Sequence, residues 1–70
     1  MTYELWHLGS GNLIDWFDDR DDALDAVDAF LDAGDADVVA LFIRDEEGTI
    51  VSSATGPALA EWSRLTSLDD

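Results

Sequence analysis

Val38-Val39-Ala40-Leu41-Phe42-Ile43 is apolar at six successive positions. A strand with one wet face alternates apolar and polar residues, so an unbroken run predicts a strand covered on both faces at the centre of a sheet. Downstream, Asp45-Glu46-Glu47-Gly48 reads as a turn, and Thr49-Ile50-Val51-Ser52-Ser53 as the return strand of a hairpin. Thr55-Gly56 then leads to Pro57, a residue tolerated at the first helical position, and Leu59, Trp62 and Leu65 are expected to share that helix's apolar face.

Upstream of the run, the pattern repeats in outline. Tyr3-Glu4-Leu5-Trp6-His7-Leu8 and Leu13-Ile14-Asp15-Trp16-Phe17 flank Gly9-Ser10-Gly11-Asn12, which predicts a first hairpin. Asp19 is placed to cap a helix over about residues 20–33, with Ala23, Leu24, Val27, Phe30 and Leu31 at helical spacing and Gly34 as its stop. The order is ββαββα. Hairpin strands should be neighbours and the crossover right-handed, which predicts an α+β, two-layer domain. Its sheet is antiparallel in the order 2-1-3-4, with both helices on one face. The reading is one small domain over 1–70, frayed from about 67.

Seventeen Asp and Glu stand against three Arg, with no Lys and no Cys, for a formal net charge of −14. Counterion release needs clustered cations, so direct nucleic-acid binding and adhesion to an anionic membrane are not expected. Disulfides and Cys-based zinc sites are excluded. The opening residues carry no secretory-type segment and no run is long enough to span a bilayer, so the expected location is the cytoplasm. Thirteen Asp, Arg as the only base and frequent Ala form a halophilic-type composition. Such a surface repels itself, so stability should rise with ionic strength.

Chemistry finds little purchase. His7 is the only histidine and falls within a strand. No catalytic residue, no cofactor-binding residue and no metal ligand is assigned, and the expectation is a protein that is not an enzyme. Two other features remain. Apolar residues occur on both sides of the first two strands, yet two helices cover only one side, which predicts an uncovered patch. Its candidate residues are Trp6, Leu8, Ile14 and Trp16, and the expected occupant is a second copy, giving a homodimer. On the first helix, Asp21, Asp25, Asp28 and Asp32 follow i, i+4, i+7, i+11 and form an acidic ridge. The alternative function is therefore an acidic inhibitor or antitoxin-like protein that sequesters a basic partner, a nuclease or nucleic-acid-binding protein.

Tyr3-Glu4-Leu5-Trp6, Ser10-Gly11-Asn12-Leu13-Ile14 and the Asp22-Ala23-Leu24 helix start together resemble a group of short bacterial proteins that read Y-E-L-W-D, S-G-N-L-I and E-A-L. His7 stands where that pattern has Asp. The group has no known activity, so the resemblance implies an ordered fold and no particular chemistry. The strand-strand-helix opening is also weakly similar to the small sheet domains of HicB-type antitoxins.

Overall fold

The computed structural model describes residues 1–68. Its strands are β1 (Thr2–His7), β2 (Asn12–Phe17), β3 (Val39–Arg44) and β4 (Ile50–Thr55). Helix α1 (Arg20–Ala33) follows β2, and α2 (Pro57–Leu68) follows β4. The sheet is antiparallel in the order β2-β1-β3-β4, so the fold is ββαββα as its sequence predicts. Residues 69–70 of the expected frayed tail lie outside the described residues, and α2 stays helical through Leu68.

Local chemistry explains each boundary. Asp19 Oδ1 accepts the Asp21 backbone N–H at 3.0 Å, satisfying one of the free donors at the start of α1. Gly34, at φ 77°, turns the chain into the left-handed region and donates its N–H to the α1 carbonyls. In the β3–β4 turn Asp45 Oδ1 accepts from the backbone of both Glu47 and Thr49, and Gly48 takes φ 85°. The first turn is organised by the His7 ring, whose Nδ1 accepts the Ser10 backbone N–H at 3.1 Å. A single 3₁₀ turn at Ala36–Val38, absent from the sequence reading, takes Val38 out of the strand; its carbonyl accepts the Leu8 N–H at 2.9 Å.

The core lies between the sheet and the helices. Tyr3 and Leu5 pair across β1–β3 with Ile43 and Leu41, and partners across a ladder share a face. With Val39 and Ala54 they form one cluster with Ala23 and Val27 of α1 and Leu59 of α2, so both helices cover the same side. Leu5, Leu41 and Leu59 expose no surface. Trp62 packs against this cluster, its ring 6.4 Å from that of Tyr3.

Two expectations change. Leu65 is 51% exposed, while Ser63 and Thr66 are buried. The inward stripe of α2 is therefore 59, 62, 63 and 66, the i, i+3, i+4, i+7 positions, and Leu65 falls beside it. Strand β3 is central, but the helices cover it on one side only: Val39, Leu41 and Ile43 are buried beneath them, and Phe42 on the other side is half-buried.

Candidate functional site

The face of the sheet turned away from the helices is the outstanding feature of the surface. On β1 it presents Glu4 and Trp6, which alternate with the core residues Tyr3 and Leu5. On β3 it presents Phe42 and Arg44, the cross-strand partners of Glu4 and Thr2, while Ala40, opposite Trp6, shares that side but exposes no surface. Ser53, Thr55 and Ile50 of β4 share it through their pairing with Phe42, Ala40 and Arg44.

Strand β2 supplies the rest through an irregularity. Leu5 pairs with Asp15 but Trp6 pairs with Leu13, so Ile14 is an extra residue in β2, a bulge. An extra residue reverses the parity of everything beyond it. Leu13, which strict alternation assigns to the core side with Phe17, instead faces outward opposite Trp6. Trp16 pairs with Glu4 on the same face and is 54% exposed. Leu13 and Ile14 are exposed beside it.

Of the four residues that the sequence singles out, Trp6 and Trp16 lie on this face. Ile14 occupies the bulge next to them, with the parity of Trp16. Leu8 lies just past the end of β1, exposed. Sequence reasoning missed Leu13 and Phe42. The bulge conceals the first; for Phe42, the continuous apolar run gave no sign of which side the helices cover.

One charged pair is set into this apolar surface. Glu4 Oε1 accepts from Trp6 Nε1 and from Arg44 Nε, each at 3.1 Å, and Arg44 Nη1 donates to the Gly48 carbonyl at 2.8 Å. The Glu4 side chain is 19% exposed and that of Arg44 34%. Burial works to raise the Glu4 carboxyl; the bonds from Trp6 and Arg44, with the Arg44 charge, outweigh it, and the carboxyl sits below its ordinary value.

The acidic residues of α1 lie elsewhere and divide. Asp21, Asp25 and Asp32 are exposed, whereas Asp28 is half-buried and accepts a hydrogen bond from the Ser63 hydroxyl of α2. The ridge is thus interrupted where the helices meet. Among the described residues no group of three or more His, Asp or Glu is arranged to hold a metal ion. A shallow depression lined by Met1, Asp45, Glu46 and Glu47 is open to solvent. No described helix is long and apolar enough to cross a membrane.

No protein-family model, curated protein or solved structure matches this chain. The functional reading rests on the geometry of the sheet.

Proposed function

We propose that this protein is a non-enzymatic interaction module that self-associates through the open face of its sheet. The observation that carries the reading is the group of large apolar side chains Leu13, Trp6, Trp16 and Phe42 gathered around Glu4 on a sheet face that neither helix covers. Large exposed apolar patches on small domains mark contact surfaces, and tryptophans are frequent anchors within them. A 70-residue chain without disulfides also has little core of its own, and association adds buried area that folding alone does not supply.

Sedimentation velocity at micromolar protein in molar sodium chloride tests the reading, since salt removes most of the repulsion between acidic copies. A dimer is expected, and Trp16→Asp should convert it to monomer by placing a charge in the contact. A wild-type protein that stays monomeric overturns the proposal. A dimer that survives both Trp6→Asp and Trp16→Asp moves the contact off this face.

A further inference from the structure

We infer that the occupant of the open face is a second copy of this chain, docked sheet on sheet about a two-fold axis that passes through the Glu4–Arg44 ion pair. The inference rests on the self-association reading and specifies its geometry.

Charge distribution is the first support. The chain carries a formal net charge of −14, yet the strand residues turned to this face include only two charges, Glu4 and Arg44, which cancel. The other acid within a strand, Asp15, pairs with Leu5 and shares the helix side. Two like-charged molecules meet with least repulsion at their neutral surfaces. A basic partner would be drawn to the helices and turns, where the acids are. A surface as neutral and as apolar as this face is the same face of another copy.

The sheet edges are the second support. Strands β2 and β4 are the outer strands, and each carries a register shift in its pairing, at Leu13–Asp15 and at Ile50–Ser52. Bulged edges twist away from an incoming strand and discourage edge-to-edge extension. Association is thereby directed to the face.

The ion pair then selects the axis. A two-fold contact brings one patch against itself, so the patch must be self-complementary. With two sheets face to face the axis lies in the plane of contact, and each point meets the position reflected across that axis. An axis running between the carboxylate and the guanidinium sets each acid against the partner copy's base. Elsewhere, the two charges would lose their remaining water against apolar side chains with only their partners within the same copy to offset it. The pair is already held in place by Trp6 Nε1 and the Gly48 carbonyl, so little ordering remains to be done on docking. Four strands of six residues span about 19 by 20 Å. That footprint is about 380 Å2 in projection, and side-chain relief has to supply the rest of the roughly 600 Å2 per partner at the lower end of stable interfaces.

Charge complementation tests the geometry, read by sedimentation equilibrium in about 0.5 M sodium chloride, which screens the exposed acids far more than charges buried in a contact. Glu4→Arg leaves two cations on the face and Arg44→Glu two carboxylates. Each variant alone should self-associate at least about tenfold more weakly than wild type, and an equimolar mixture should recover a heterodimer within about threefold of wild type. Glu4→Gln mixed with Arg44→Gln is the gentler version, for use if a charge reversal fails to fold; the mixture should again bind more tightly than either variant alone. A dimeric wild type whose variants gain nothing on mixing overturns the ion-pair axis and leaves self-association standing. A wild type that is monomeric at every concentration overturns both.

Discussion

The two faces of β1 are built from the same short strand and have opposite fates. Tyr3 and Leu5 point to the helices and are buried with Leu41, Ile43 and Val27. Glu4 and Trp6, one position over, point away and remain partly exposed among Trp16, Leu13 and Phe42. The buried centre of the covered face is an apolar cluster, and its stability follows from packing. The open face combines aromatic surface with a hydrogen-bonded ion pair, a mixture typical of contact surfaces that must also survive in water. The comparison teaches that the alternation of a strand lets one side carry the core while the other stays open to solvent.

The sharpest way to break this contrast is to truncate each side in turn. Leu41→Ala, on the covered side, should cost about 2–5 kcal/mol through lost burial and a residual cavity, read as a lowered denaturant midpoint. Trp16→Ser, on the open side, should change the unfolding of the dilute monomer by less than about 1 kcal/mol while weakening association. Comparable losses from the two would erase the distinction.

Salt acts on neither face but on the acids around them. Thermal unfolding at pH 7 should shift upward from millimolar to molar sodium chloride, because seventeen carboxylates face three Arg. A flat or falling midpoint would show that the acids are already compensated. Smaller still is the seam between the helices. Ser63→Ala leaves Asp28 half-buried without its hydroxyl donor, and should cost about 1–2 kcal/mol by chemical denaturation.

The subtlest effect concerns acid. The folded Glu4 carboxyl lies below its ordinary value of 4.5, so its ionised form favours the folded state. That contribution is complete above the ordinary value and is lost as pH falls through the lower, folded value. Glu4→Gln should therefore flatten a small part of the acid limb of the stability profile, measured by urea unfolding between about pH 6 and pH 3. An unchanged limb would detach Glu4 from Arg44 and Trp6 in solution.

Where patterns were local, the sequence was legible. Asp19, Gly34, Gly48 and Pro57 mark the turns and helix ends, and the run ending at Ile43 places β3 centrally. Features that depend on a neighbouring strand or helix were not legible. The bulge at Ile14 arises from pairing with β1, and a shift of one residue sends Leu13 to the opposite face. Ser63 and Thr66 look like surface residues by type, yet α2 turns them inward and exposes Leu65. Asp28 reads as one more acid in a series until Ser63 is set beside it. The candidate face was visible only as a surplus of apolar residues; its ion pair joins positions 4 and 44 and could not be read from spacing.

The strand order also has a kinetic consequence. Each hairpin closes through a short turn, but the β1–β3 ladder joins residues 2–7 to 39–44 around the whole of α1. Closing so long a loop costs entropy before its contacts reward it, and non-local pairing of this kind slows folding. The loop that must close contains ten of the acids, from Asp15 to Asp37. The expected slow step is therefore the meeting of the two hairpins, opposed by repulsion among the acids of the segment that joins them. The ions in the surrounding water should then set its rate.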